Sequence, residues 1–429
     1  MEGHHDNRRQ HEQQHEQHQQ QRQQQQHRYQ YQLPSLLLLP PPPHPADHAA
    51  LIAAYEPPIK AAITKLKNEE DHSERGSTLF VGIASPILTP GGSDSRERFL
   101  SWPTAQSVLA RVYSIVAIVC AQLSVPSEMH AGPESIDVRV VFIDHDPSKP
   151  PPQDYRPAIN VNNTVIVDLP TFASAYHPWK QIFHVNSEPG YGLFSSYLKI
   201  YERIQTLRQD QLIVVESGLA FTENSPSPTQ TKTHSVVCLG GTFDHLHAGH
   251  KLLLTAATIL LNVPDKPTAV PARFIIGITG DDLLKRKKYA EFVQPWDLRV
   301  TNVIEFLASI LQLSKSGWGN PDVTKKDDKV ITRFRDGAIE VHCVVLQDAF
   351  GPTTAEEEMD VLVVSGETRS GGDAVNARRR ELGWHELEIF EVDVLDAGDS
   401  IDGPTKTKKD FATKISSTAI RERKAEARK

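Results

Sequence analysis

Apolar residues fall into two stretches where short β-branched runs alternate with longer amphipathic segments, separated by polar and proline-rich sequence. Leu79–Ile83, Val138–Ile143 and Thr164–Val167 have the length and composition of buried strands, while Thr104–Leu123 and Gly192–Gln209 read as helices. This predicts a small α/β domain over residues 77–222. The second alternation starts with a strand at Val236–Leu239, then a glycine-rich turn and a helix over His250–Leu261. Strands at Arg273–Ile278, Ile339–Leu346, Val361–Val364 and Leu387–Val394 follow, with helices over Trp296–Leu313, Ala374–Leu382 and from Ser417. Within Trp296–Leu313, the residues Val300, Val303, Ile304, Leu307, Ile310 and Leu311 recur at helical spacing. The alternation predicts a Rossmann-like, doubly wound parallel sheet over residues 234–429, with ligands at the carboxyl ends of its strands.

The remaining stretches carry little apolar pattern. Residues 1–76 open on a Gln/His tract and continue through a proline run, so they are expected to be a disordered tail, with one helix near Ile59–Leu66. The tract's histidines read as solvated, not metal-binding. Ser, Pro and Thr mark residues 223–233 as a linker. A length of 429 residues accommodates two domains plus such a tail.

Charge and cysteine usage narrow the class. A net charge of −8 offers no basic surface for phosphate backbones, so no nucleic-acid partner is expected. Cys120, Cys238 and Cys343 lie far apart with no CxxC or Cys/His metal spacing, which points to a reduced, cytoplasmic protein without disulfides. Leu36–Leu39 is too short to cross a bilayer. Val108–Val125 is long enough, but Arg111, Ser114 and Gln122 make it a buried or amphipathic helix, and no membrane span is expected. Asp144, His145 and Asp146 read as a polar turn, not a metal site. The role of residues 77–222 is not legible.

Chemistry concentrates in two strings. The first is Gly240-Gly241-Thr242-Phe243-Asp244-His245-Leu246-His247-Ala248-Gly249-His250, at the junction of a buried strand and a helix. Glycines there let backbone approach a ligand closely, and the helix start supplies free N–H groups that favour an anion. Histidines flanking a glycine at that place can donate to phosphate oxygens as charge develops. The second string, Ser416-Ser417-Thr418-Ala419-Ile420-Arg421, puts three hydroxyls at a helix N-cap with Arg421 one turn along. Alone it reads as ordinary capping. Beside the first it reads as a triphosphate clamp.

Together these strings resemble the HxGH nucleotidyltransferase superfamily and, within it, the eukaryotic-type phosphopantetheine adenylyltransferases. Asp281-Asp282-Leu283-Leu284-Lys285, Gln294-Pro295 with Arg299, Gln347–Thr353, and Val364–Thr368 followed by Gly371-Gly372 and Asn376 fit the same family. The resemblance covers about the last 195 residues. It implies transfer of AMP from ATP to 4′-phosphopantetheine, giving dephospho-coenzyme A and pyrophosphate in coenzyme A synthesis.

By resemblance, His247 and His250 contact the ATP phosphates, Thr242 sits between the reacting phosphates, and Lys285 or Lys288 holds the acceptor phosphate. Gly240, Gly241, Phe243, Ser416, Ser417, Thr418 and Arg421 complete the ATP site, and Mg²⁺ arrives with the nucleotide. Arg299 reads equally well as an exposed helix residue and stays outside the catalytic set. Other coenzyme A enzymes are the expected partners. The alternatives are a nicotinamide-mononucleotide adenylyltransferase, which favours Asn where Asp244 stands, and a cytidylyltransferase, which carries Arg-Thr-Glu-Gly-Ile-Ser-Thr near its end. Class I aminoacyl-tRNA synthetases share the clamp but have a second lysine loop not found here. A non-catalytic scaffold is a reading from a different class. No P-loop occurs, so a fused dephospho-coenzyme A kinase is not expected, an arrangement similar to the fungal one.

Overall fold

Four consecutive leucines are apolar on both faces of a strand, which suits only a position covered on both sides. The structure is a computed structural model. It describes residues 33–44, 46–69, 75–90, 98–146, 164–175, 178–204, 206–219, 231–264, 270–313, 321–326, 328–395 and 416–428. In it Leu36–Leu39 are fully buried in strand β1 (Ser35–Leu39). Pro40 then ends the strand, because proline has no N–H to donate to a ladder.

The first layer continues through α1 (His48–Lys67), β2 (Ser77–Ala84), β3 (Leu88–Pro90), β4 (Arg98–Leu100), α2 (Trp102–Gln122) and β5 (Ile136–Asp144). It then runs through β6 (Ile166–Asp168), α3 (Leu169–Ser174), β7 (Ile182–Val185), α4 (Glu188–Tyr201) and β8 (Leu212–Val215). Six strands form a wholly parallel sheet in the order β6-β5-β2-β1-β7-β8. The expected tail to residue 76 is therefore corrected. Residues 34–67 supply a central strand and a helix capped by Asp47, whose side chain accepts from the Ala50 N–H at 2.8 Å. The Gln/His tract and the bulk of the expected 223–233 linker lie outside the described residues. Helix α4 starts earlier than its apolar spacing predicts because the Ser187 hydroxyl caps it, accepting from the Gly190 N–H at 3.2 Å.

The second layer comprises β9 (Val236–Gly241), α5 (Ala248–Thr258), β10 (Ala272–Thr279), α6 (Asp281–Leu284), α7 (Trp296–Leu311) and β11 (Asp322–Lys326). After these come β12 (Lys329–Phe334), β13 (Ile339–Leu346), β14 (Val361–Ser365), α8 (Arg369–Glu381), β15 (Glu388–Val392) and α9 (Ser417–Ala427). Its seven-stranded sheet has the order β11-β12-β13-β10-β9-β14-β15. The α/β architecture is as expected, with one amendment: β12 runs antiparallel to both neighbours, so this sheet is mixed. The polar, exposed Asp322–Lys326 edge carries no apolar signal.

Both layers lie within one compact unit, Pro34–Lys429. Helix α2 packs against α1 on one side and α5 on the other. The Trp102 indole N–H donates to the Ala256 carbonyl at 2.9 Å, and the Tyr113 hydroxyl lies 3.4 Å from that of Thr255. Helix α2 is long and apolar enough to cross a membrane, yet 72% of its most apolar window is buried inside the fold, which makes it a core helix. Cys120, Cys238 and Cys343 are free and buried, and burial pushes each thiol up to about 12.

Candidate active site

Strand β9 sits at the point where its sheet's winding reverses, with β10 and β13 to one side and β14 and β15 to the other. In such sheets the crevice beyond that strand's carboxyl end receives ligands. Here the chain folds back sharply. Phe243 and His245 adopt positive φ of 52° and 47°, and a Cβ on Gly241 would lie 3.0 Å from the Phe243 ring. Non-glycine residues in this region cost energy and persist where the surroundings hold them.

His247 is the N-cap of α5, with its Nδ1 accepting from the Gly249 N–H at 3.2 Å. The neutral ring then carries its proton on Nε2 and can donate from there. His250 stacks on His247 with ring centroids 3.9 Å apart, and the Phe243 ring lies 5.2 Å from His250. Each imidazole keeps an edge at the surface, while protein atoms crowd it elsewhere and disfavour its charged form. That crowding, helped by Lys251 and His245, lowers His247 to about 3. Burial, then His247, His245 and Arg299, hold His250 well below its ordinary value. Among the described residues the buried Nδ1 of His250 has no hydrogen-bond partner. Two neutral imidazoles at a helix start are donors to an anion, with no charge of their own.

Asp244, fully buried, joins the two strings the sequence singled out. Its Oδ2 pairs with Arg421 Nη1 at 2.7 Å, its Oδ1 accepts from the Gln294 N–H at 2.9 Å, and its carbonyl accepts from the Ser417 hydroxyl at 2.8 Å. Ser416 caps α9, accepting from the Ala419 N–H at 3.3 Å, and the Thr418 hydroxyl accepts from Arg421 Nη2 at 3.1 Å. Arg421 also donates through Nε to the Lys288 carbonyl at 3.0 Å, and it is 2% exposed. Through these buried pairings it bolts α9 to the turn.

Asp244 thus joins the turn that carries Gly240, Gly241, Thr242, Phe243, His247 and His250 to the α9 start that carries Ser416, Ser417 and Thr418. The lysines stand apart. The Lys285 side chain is exposed at the end of α6 and pairs with Asp282, and Lys288 is likewise exposed.

Arg299 is not an exposed helix residue. It is fully buried and holds three partners: the Gln294 carbonyl at 2.9 Å, the Thr242 carbonyl at 2.7 Å and Asp281 Oδ1 at 2.6 Å. It braces the turn from beneath. The signal was present, since Arg299 shares the buried face of α7 with Val303 and Phe306. A charge set within an apolar stripe needs a buried partner. Among the described residues no three His, Cys, Asp or Glu side chains gather to hold a metal ion.

Residues 19–221 match a family described as a domain of unknown function, DUF8446. The chain is 35% identical over 199 residues to the phosphopantetheine adenylyltransferase of Saccharomyces cerevisiae, covering 46% of this chain and 52% of that protein. It thus spans about half the length of that relative. It is 32% identical over 185 residues to the phosphopantetheine adenylyltransferase of Pyrococcus abyssi, covering 43% of this chain and 87% of that one. A solved protein of unknown function from Archaeoglobus fulgidus is 26% identical with a TM-score of 0.26, covering 40% of this chain and 96% of that chain.

Proposed function

The chain belongs to the phosphopantetheine adenylyltransferase family, and from that premise we propose that it is an HxGH nucleotidyltransferase of the fungal type, transferring AMP from ATP to 4′-phosphopantetheine. The products are dephospho-coenzyme A and pyrophosphate. The observation that carries this reading is the stacked, neutral His247–His250 pair at the start of α5, with the hydroxyl-rich start of α9 docked on the same turn.

In-line displacement at the α-phosphorus asks for positioning and for stabilisation of developing negative charge, with no covalent nucleophile. His250 and His247 donate to the transferring phosphate, and Thr242 sits between donor and acceptor. The Ser416–Thr418 turn receives the outer phosphates at a helix N-terminus. Lys285 or Lys288, both with exposed side chains, holds the acceptor phosphate. Mg²⁺ enters as part of the ATP complex. The protein works in the cytoplasm alongside other coenzyme A enzymes.

Pyrophosphate release by the purified chain tests the proposal, with ATP or CTP against 4′-phosphopantetheine, nicotinamide mononucleotide or phosphocholine. Release with ATP and phosphopantetheine alone is expected. Release with another pair would overturn the substrate, and none with any pair would favour a scaffold.

A further inference from the structure

The two histidines occupy a string that the first layer grips at both ends. Just before it, the Met129 N–H donates to the Leu246 carbonyl at 3.1 Å. Just after it, Lys251 sends its ammonium into the first layer, donating to the Ser127 carbonyl at 2.8 Å and pairing with Asp137 on β5 at 2.6 Å. Arg139 holds the other oxygen of Asp137 at 2.8 Å. Lys251 is 1% exposed and Asp137 6%. A buried ammonium is held only by such partners, and losing them is costly, so its helix cannot slide without breaking the network. Burial alone would raise the Asp137 carboxyl, but Arg139 and Lys251 outweigh it and hold it at about 2.

The turn of the first layer that matches the histidine motif lacks its histidines. Its strands β5-β2-β1-β7-β8 repeat the order of β13-β10-β9-β14-β15. Seven residues separate Leu39 from the α1 N-cap Asp47, as seven separate Leu239 from the α5 N-cap His247. In that register Pro40 and Pro41 stand where Gly240 and Gly241 do, and Asp47 and Ala50 where His247 and His250 do. The matching turn cannot cradle a phosphate in the same way, since proline carries no N–H to aim at it.

We infer that the first layer is a support for the histidine motif, and that Asp137, acting through Lys251, is a positioning residue for adenylyl transfer. This rests on the reading given under Proposed function. The link passes no proton and touches no substrate. It sets where the first turn of α5 lies, and a displacement of about 1 Å at such a place costs up to a hundredfold in rate.

Lys251→Met tests it in the full chain. Methionine keeps the apolar stem, and Asp137 remains paired with Arg139, so no buried charge is left single. The expected result is a kcat lower by about tenfold to a hundredfold, with the KM for ATP changed by less than about threefold. The histidine ring NMR signals that His247→Gln and His250→Gln identify should also move. Asp137→Asn combined with Lys251→Met should lose little more than Lys251→Met alone, because both break one link. Wild-type turnover within about twofold together with unmoved ring signals would overturn the inference, as would losses that multiply in the double variant. If the wild-type chain releases no pyrophosphate, the functional reading fails, and the ring signals still decide whether Lys251 positions the motif.

Discussion

Burial holds His247 at about 3 and His250 well below its usual range, so both rings are neutral across ordinary working pH. His250→Ala should lower kcat by about 10²–10³, the loss typical of one preorganised donor, with a smaller effect on KM for ATP. Steady-state kinetics would show it, and an unchanged kcat would remove His250 from the chemistry. Stability should depend on pH through the same rings. Unfolded imidazoles bind protons near pH 6.5 and the folded ones do not, so stability is full above about pH 6.5 and falls as pH drops toward about 3. A melting temperature flat between about pH 7 and 4.5 would contradict this. At Asp244 the issue is a buried pair: Arg421→Met strands the carboxylate and should cost about 3–5 kcal/mol in urea unfolding. Adding Asp244→Asn should recover part of that, and full additivity would show that the pair is not coupled.

Strand β1 shows what element-level pattern hides. Its leucines sit between a Gln/His tract and a proline run, a neighbourhood that reads as a tail, and only the flanking β2 and β7 reveal a core position. Leu37→Ala should therefore cost about 2–5 kcal/mol, where a tail residue would cost nothing measurable. Strand β7 is only Ile182–Val185, and the β11–β12 hairpin is polar at its edge, so neither carried enough apolar signal to be predicted. Longer elements were legible: β13 occupies the expected Ile339–Leu346, and α7 starts at the expected Trp296. Their caps and breakers act locally, within a turn of the residues they govern.

At the scale of the whole molecule, the two layers share α2, whose Trp102 and Tyr113 reach α5. A chain beginning at residue 231 would bare the face of α5 that α2 covers, together with Lys251. It should bind more of a hydrophobic dye than the full chain and turn over more slowly. Equal dye binding and equal turnover would show that the first layer is dispensable.

Local pattern was sufficient for the α/β alternation, the glycine turn with its two histidines and the hydroxyl cap near the end, because each depends on neighbours a few residues away. Tertiary structure decided which strands flank Leu36–Leu39, which turn Arg299 braces, that Arg421 bolts α9 to Asp244, and that Lys251 ties the motif to Asp137. Each of these depends on which distant charge or apolar face meets the residue after folding. Arg421 and Asp244 are 177 positions apart, a separation at which periodicity carries no information about who pairs with whom.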